Sequence, residues 1–250
     1  MRSRLKRAEI RRRGGYTHNL AHYLAEVNHG VPPTIIYNDA FQGNWTRLLA
    51  AYRLPNSTLF PFDNIVISPG PGSPEKASDF GLSRLALDLD SVPILGVCLG
   101  HQGLGYLHGG RVIRAPCGPM HGRLSQITHT GRGIFQNLPQ DFPAVRYHSL
   151  VVEPPREGKK EGGREGGGQG WALKATAWSE DGTLMGLEHV ARPHYGVQFH
   201  PESIGSHYGH ALLRNFQRLS WERARGREGG RDGGWRAAGS RGQGGSERRA

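Results

Sequence analysis

The sequence contains little sulphur and no long apolar stretch. Among its 250 residues are two cysteines and three methionines, and two cysteines cannot build the disulfide framework of a small secreted protein. No run of about 18 apolar residues occurs, and the N-terminus lacks the apolar core of a signal peptide. We therefore expect no membrane partner and an intracellular location, in the cytoplasm or in a plastid.

Positive charge is present in excess, but only at the two ends of the chain. The formal net charge is +11. Residues 1–15 carry seven basic and one acidic side chain, and residues 216–250 carry nine and four. The stretch 16–215 has sixteen of each sign and is neutral. Because a nucleic-acid-binding fold places its basic residues on a folded face, we expect no specific nucleic-acid partner.

Composition divides the chain into a central domain with atypical ends. Residues 1–15 are Arg-rich without apolar periodicity, and they predict a basic segment or a short transit peptide. Residues 16–220 predict one domain, interrupted at 156–170 by a Gly-rich and charge-rich insertion typical of a flexible surface loop. Residues 221–250 repeat that composition and predict a disordered basic tail rich in Gly and Arg.

Within the central domain, apolar runs alternate with stretches of helical periodicity. Residues 64–68 (NIVIS) and 92–97 (VPILGV) are typical of parallel strands buried on both faces. Helices are predicted near 16–27, 44–53 and 77–90. Further strands are predicted at 31–37, 111–114, 123–128, 145–148, 172–178, 184–189 and 195–199. This order predicts an α/β fold: an open, mostly parallel sheet with helices on both faces.

The segment LGVCLGHQ, directly after a predicted strand, predicts a nucleophile. Gly96 and Gly100 flank Cys98 at two residues on either side, which is the Gly-x-nucleophile-x-Gly pattern of a strand-to-helix elbow. A cysteine at a helix N-terminus is favoured as its thiolate. On this pattern alone, a buried structural cysteine is the alternative.

A thiolate nucleophile needs a base, and the base needs a carboxylate that orients it. His200 follows a predicted strand within FHPES, and Glu202 lies two residues further on, within reach of the same imidazole. On its own, His-Pro-Glu fits a polar strand end equally well.

Four segments taken together resemble a known family. PGPGSP, GVCLGHQ, RYHSL and GVQFHPES occur in that order, and the chain resembles the class I glutamine amidotransferases over residues 16–219. The resemblance implies that Cys98 attacks the side-chain amide of glutamine and forms a γ-glutamyl thioester. It also implies that His200 is the general acid–base and that Glu202 orients it.

The same resemblance implies which residues bind glutamine and its oxyanion. Backbone N–H groups of Leu99 and of the loop 69–74 would form the oxyanion hole. The implied binding residues are Gly70, Gly72, Leu99, Gln102, Ser149 and Leu150. No cofactor is expected in this domain. No metal is expected either, because the pairs His18/His22 and His207/His210 lack a third ligand at suitable spacing.

The ammonia acceptor depends on a synthase domain outside this sequence. Residues 27–39, 109–125 and 192–209 resemble the glutamine amidotransferase part of the eukaryotic aminodeoxychorismate synthases, which aminate chorismate on the route to p-aminobenzoate and folate. Anthranilate synthase component II, of tryptophan biosynthesis, is the alternative. Either resemblance implies a chorismate-binding synthase partner, as a domain or a subunit, that needs Mg²⁺.

The sequence departs from the family at its start. Where the family has an apolar first strand and an Asp-containing turn, this chain has residues 11–15, Arg-Arg-Arg-Gly-Gly. The first strand is therefore expected to be missing, which would leave unpaired backbone inside the sheet. The alternative hypothesis is a relative that has lost its activity, although Cys98, His200 and Glu202 are all present.

Overall fold

A computed structural model describes residues 5–12, 18–53, 55, 57, 60–155 and 171–229 of the chain. The predicted insertion at 156–170 lies outside these residues. The described helices are α1 (His18–Val27), α2 (Trp45–Tyr52), α3 (Ala77–Phe80), α4 (Leu82–Leu87), α5 (Leu99–Leu107) and α6 (Gly209–Gly229). The described strands are β1 (Arg7–Arg11), β2 (Thr34–Tyr37), β3 (Asn64–Ile67), β4 (Ile94–Val97), β5 (Arg111–Arg114), β6 (Met120–His129), β7 (Phe142–His148), β8 (Leu150–Glu153), β9 (Leu173–Ser179), β10 (Leu184–His189) and β11 (His194–Val197).

Nine of the described strands form one sheet, in the order β2-β1-β3-β4-β11-β10-β9-β6-β7. From β2 to β11 all neighbours are parallel, and from β11 onward they are antiparallel. Strands β5 and β8 pair separately as a short antiparallel ribbon. The predicted α/β fold is confirmed, with an antiparallel extension on one side of the parallel strands.

The sheet separates two apolar cores, because successive strand side chains point to opposite faces. On β3, Ile65 and Ile67 pack into the core beneath α2, α4 and α5, whereas Val66 packs into the core beneath α1 and α6. Helices thus cover both faces, as predicted. None of the helices in the described part of the chain is long and apolar enough to cross a membrane.

The expected absence of the first strand is wrong. Residues Arg7–Arg11 form β1, which lies between β2 and β3 and pairs in parallel with both. Ala8 and Ile10 alternate along β1 and enter the core beneath α5. The segment was missed because a strand buried on both faces is expected to be apolar on both.

The other face of β1 carries charges that find partners inside the protein. Arg7 donates from Nε to Asn64 at 2.8 Å and from Nη1 to the carbonyl of Leu24 at 3.1 Å. Arg11 forms an ion pair with Glu9 at 2.8 Å. Burial lowers the pKa of Arg7 to about 10, against the opposing effect of Glu9. Hydrogen bonds and an opposite charge offset the cost of burying these groups.

The predicted disordered tail is wrong for its first nine residues. Helix α6 runs to Gly229, past the predicted boundary at residue 220. Arg218 and Glu222 form an ion pair at 2.8 Å one turn apart, and the guanidinium of Arg225 lies 4.5 Å from the ring centroid of Trp221. Such pairs stabilise an exposed helical turn. Residues 230–250 lie outside the described part.

The helix predicted at 77–90 is divided in two at Gly81. This residue has φ +44, and a Cβ there would overlap the carbonyl oxygen of Asn38. The turn brings α3 and α4 against the chain that leaves β2, because the Leu82 N–H donates to the same carbonyl at 2.9 Å.

Candidate active site

Cys98 lies at the turn between β4 and α5, and its backbone is strained. Its φ of 50° lies in the left-handed region, which costs a non-glycine residue about 1–3 kcal/mol. A Cβ on Gly96 would lie 2.5 Å from the carbonyl oxygen of Gly100, and a Cβ on Gly100 would lie 2.6 Å from that of Ile67. Both glycines are therefore required for α5 to pack closely on the sheet, as the elbow pattern predicts.

His200 and Glu202 lie in the turn that follows β11, the parallel neighbour of β4. The imidazole Nδ1 of His200 lies 2.7 Å from Oε1 of Glu202, and both side chains are largely buried. The His200 N–H donates to the carbonyl of Val145 at 2.9 Å, and its own carbonyl accepts from the Ser206 hydroxyl at 2.6 Å. The imidazole is therefore fixed both by its backbone and by the carboxylate.

The charge state of His200 follows from these neighbours. Burial by itself lowers the pKa of His200, but the Cys98 thiol and the Glu202 carboxylate outweigh burial and raise this pKa well above its ordinary value. Nε2 of His200 is buried and has no hydrogen-bond partner among the described residues. The three side chains are thus arranged so that an imidazolium could stabilise a thiolate.

These side chains line a pocket of about 810 Å³. Of the predicted binding residues, Gly70, Gly72, Gln102, Ser149 and Leu150 also line it. Leu99 does not; it lies at the first position of α5, where helical N–H groups lack intrahelical partners. The pocket wall also contains residues that the sequence did not single out: Asn19, His121, Val145, Tyr147, His148 and Ser203.

Arg12 and Asp79 hold the loop 69–74, which forms part of the pocket wall, in place. Arg12 donates to the carbonyl of Pro71 at 2.8 Å and to Asp79 at 2.7 Å. Asp79 in turn accepts from the Ser73 N–H at 3.1 Å. Gly72 has φ +98, and a Cβ there would overlap the Asp79 carboxylate. The glycine thus allows the loop to close over this carboxylate, which fixes the loop's position.

Two glutamine side chains, Gln102 and Gln198, form a hydrogen-bonded chain that ends at Sγ of Cys98. Gln102 donates from Nε2 to the carbonyl of Leu150 at 3.0 Å and to Oε1 of Gln198 at 3.3 Å. With its oxygen engaged, Gln198 presents its Nε2 to Sγ of Cys98 at 3.6 Å. Gln198 is fully buried and directly follows β11. It stands in the motif GVQFHPES, which was the available signal, but its contact depends on a strand pairing that the motif does not specify.

The comparisons with known proteins identify the family of the chain. The family model described as glutamine amidotransferase class-I matches residues 13–219, and the chain belongs to the class I glutamine amidotransferases. The resemblance inferred from the four motifs is thereby confirmed.

The chain is similar to curated relatives of two kinds. The chain is 48% identical to the aminodeoxychorismate synthase of Streptomyces griseus over 219 residues, which cover 87% of this chain and 26% of that protein. It is 41% identical to anthranilate synthase component 2 of Thermus thermophilus, covering 83% of this chain and 89% of that protein. The chain thus spans about a quarter of the length of the first relative.

The fold is also found in solved structures. A putative GMP synthase subunit from Thermoplasma acidophilum superposes with a TM-score of 0.68 at 23% identity, covering 90% of this chain and 98% of that one. At this identity the likeness is one of fold.

Proposed function

We propose that this chain is the glutamine-hydrolysing part of an aminodeoxychorismate synthase, and that it supplies ammonia for amination of chorismate to 4-amino-4-deoxychorismate. The observation that carries the hydrolytic half is the elbow cysteine in one pocket with a buried His200–Glu202 pair. The choice of acceptor rests on the 48% identity to the Streptomyces griseus enzyme.

In the proposed reaction, Cys98 is the nucleophile and His200 carries the protons. The Sγ thiolate bonds to the carboxamide carbon of glutamine, and the tetrahedral intermediate collapses with loss of ammonia, which takes its proton from His200. A γ-glutamyl thioester remains on Cys98. Water then adds to the thioester and gives its proton to His200, so that glutamate leaves and the thiolate returns.

Glu202 orients the imidazole of His200 throughout this cycle. Its hydrogen bond to Nδ1 of His200 leaves Nε2 as the nitrogen that faces Cys98. The raised pKa of His200 favours the protonated imidazole that the first step needs.

The other predicted binding residues hold the substrate in this proposal. The Leu99 N–H and the backbone of the loop 69–74 stabilise the oxyanion, a contribution of roughly 3–4 kcal/mol per donor in comparable sites. Gln102, Ser149 and Leu150 hold the polar atoms of glutamine. The chemistry uses protein groups alone, so no cofactor is required in this domain.

The acceptor half requires a synthase partner, as a domain or a subunit, that binds chorismate and uses Mg²⁺. Three exposed apolar side chains, Leu124, Tyr147 and Ile204, lie beside the pocket and suit the docking of that partner. Tyr147 itself lines the pocket, and Leu124 lies opposite the pocket residue Val145 across β6 and β7. Ammonia released here would then pass to the partner without crossing bulk water.

The test is product formation by this chain combined with an aminodeoxychorismate synthase component and chorismate. Cys98→Ala is expected to abolish glutamine-dependent product and to leave ammonia-dependent product unchanged, because only the ammonia supply is lost. The matched control is Cys117→Ser, at the exposed second cysteine. Because serine keeps an acceptor for Arg146, which donates to Sγ of Cys117, both activities should be retained.

Two outcomes of this experiment contradict the proposal in different ways. Unchanged glutamine-dependent product with Cys98→Ala would refute the catalytic role of Cys98. Stronger stimulation of glutamate release by an anthranilate synthase component than by the aminodeoxychorismate partner would transfer the assignment to the alternative acceptor system.

A further inference from the structure

Arg146 is the largest fully buried side chain in the described part of the protein, and it carries a charge. It lies on β7, two residues before the pocket residue His148. Isolated burial of a guanidinium is strongly unfavourable, so a buried arginine needs hydrogen-bond partners for its donors. Its position beside the pocket wall therefore calls for an explanation.

Every nitrogen of the Arg146 guanidinium has a partner. Nη1 donates to Ser125 at 3.1 Å and forms an ion pair with Asp181 at 2.6 Å. Nη2 donates to Cys117 and Thr183 at 3.2 and 3.3 Å. The remaining donor, Nε, points along β7 to Nε2 of His148 at 3.2 Å. Four of the five partners hold the guanidinium in place, and the fifth is in the pocket wall.

The contact with His148 fixes the tautomer of that histidine. Arginine has donors only, so Nε2 of His148 must accept and its proton must lie on Nδ1. Burial, followed by the charges of Arg146 and His200, lowers the pKa of His148 to about 4. His148 is therefore neutral near pH 7, with a single orientation of its ring.

His148 lies where the chain passes from the nine-stranded sheet to the two-stranded ribbon. Strand β7 ends at His148, Ser149 follows, and β8 begins at Leu150 in the separate ribbon. Nδ1 of His148 is buried and has no hydrogen-bond partner among the described residues. The backbone of Leu150, whose carbonyl accepts from Gln102 at 3.0 Å, is close enough to the imidazole to oppose the lowering of its pKa. Because Ser149 and Leu150 directly follow His148 in the chain, a displacement of His148 would be transmitted to the residues proposed to hold glutamine.

We propose that Arg146 is a positioning residue that locks His148 as its Nδ1–H tautomer and thereby holds Ser149 and Leu150 in place for glutamine binding. This inference rests on the proposed glutaminase function.

The anchor of this arrangement is the turn between β9 and β10. Asp181 accepts from the Ser179 hydroxyl at 2.7 Å and from the Thr183 N–H at 3.0 Å, in addition to Arg146. Burial opposes ionisation of Asp181, but these hydrogen bonds outweigh it and hold its pKa far below the usual range. Asp181 is therefore ionised near neutral pH and offers Arg146 a carboxylate partner.

The test separates positioning from mere structural support. Arg146→Lys keeps the ion pair with Asp181 but lacks the planar fork that also reaches His148. With the wild type first shown to hydrolyse glutamine through Cys98, Arg146→Lys is expected to raise KM for glutamine about tenfold, the effect of one lost hydrogen bond, with a smaller change in kcat. The matched control is Arg192→Lys, which disturbs the ion pair with Asp90 and the hydrogen bond to the Leu87 carbonyl, outside the pocket, and should leave KM for glutamine unchanged.

A second readout does not depend on activity. Nitrogen-15 NMR of the wild type should show His148 as the Nδ1–H tautomer near neutral pH, with the signal assigned by its loss in His148→Gln. Arg146→Lys should give a mixture of tautomers. A wild-type Nε2–H tautomer, or an unchanged KM in folded Arg146→Lys, would overturn the inference. Absence of glutaminase activity in the wild type would instead count against the proposed function.

Discussion

Strands β1 and β4 lie on either side of β3 and are both buried, but they differ in the kind of side chain that they bury. Strand β4 is Ile-Leu-Gly-Val, without a charged side chain, whereas β1 is Arg-Ala-Glu-Ile-Arg, with three. Ile67 of β3 pairs with Ile10 of β1 on one side and with Gly96 of β4 on the other. In this one row, the residue of β1 supplies apolar volume and the residue of β4 supplies none.

The difference reflects what covers each strand. Helix α5 approaches β4 so closely that only hydrogen fits at Gly96, and this approach sets Cys98 at the head of the helix. Strand β1 leads instead to Arg12, which holds the loop 69–74 through Pro71 and Asp79. A strand can therefore be buried in a sheet in two ways. Its side chains are either apolar and packed against other apolar groups, or charged and paired with hydrogen-bond partners and opposite charges.

The largest effect is expected from Gly96→Ala, which adds volume to β4. The new methyl would lie 2.5 Å from the Gly100 carbonyl oxygen, so α5 would have to move and carry Cys98 with it. A displacement of about 1 Å at a reacting group can cost about 100-fold in rate. Glutamine hydrolysis should fall by that order. Gly131→Ala is the control, because its Cβ meets open space and costs only the left-handed strain of about 1–2 kcal/mol. Equal activity of the two variants would contradict the close packing of α5.

The next effect tests whether β1 is an interior strand. Ile10 and Ile94 belong to the same core and are almost fully buried. Truncating either to Ala should lower the free energy of unfolding by about 2–5 kcal/mol. Ile35→Ala on β2, where the side chain is 36% exposed, is the matched control and should cost less. Urea unfolding of the three variants gives the comparison, and a cost for Ile10→Ala no larger than that of the control would place β1 outside the sheet.

The same contrast explains what could be predicted from the sequence. Strands β3 and β4 and the elbow were predictable because NIVIS and VPILGV each contain a short apolar run and because Gly96 and Gly100 bracket Cys98. Strand β1 was not, because the partners of Arg7 and Glu9 are supplied by distant segments and by a neighbour two residues away. Arg146 belongs to the same class, since four of its five hydrogen-bond partners lie more than 20 residues away. Local sequence predicts where apolar residues are buried, and it does not predict which charges will find partners.

The smallest effect is expected from Glu9→Gln, which removes one charge from β1. Glu9 is fully buried, and burial raises its pKa, against Arg11 and Ser68, with a further rise from the charge of Glu202. A carboxyl whose folded-state pKa is raised stabilises the fold fully below its unfolded value of about 4.5, and this contribution is lost as the pH rises through the folded-state pKa. Glu9→Gln has no proton to lose there.

The stability of Glu9→Gln relative to the wild type should therefore increase as the pH is raised from below 4.5 to neutrality. Urea unfolding of both proteins across this range measures the difference, and Glu75→Gln, at an exposed carboxylate beside the pocket loop, controls for removal of a charge in general. If the curves for Glu9→Gln and the wild type stay parallel while those of the control do the same, Glu9 ionises as freely as a surface group. The charged face of β1 would then not be buried, and the two flanks of β3 would differ in exposure rather than in how burial is achieved.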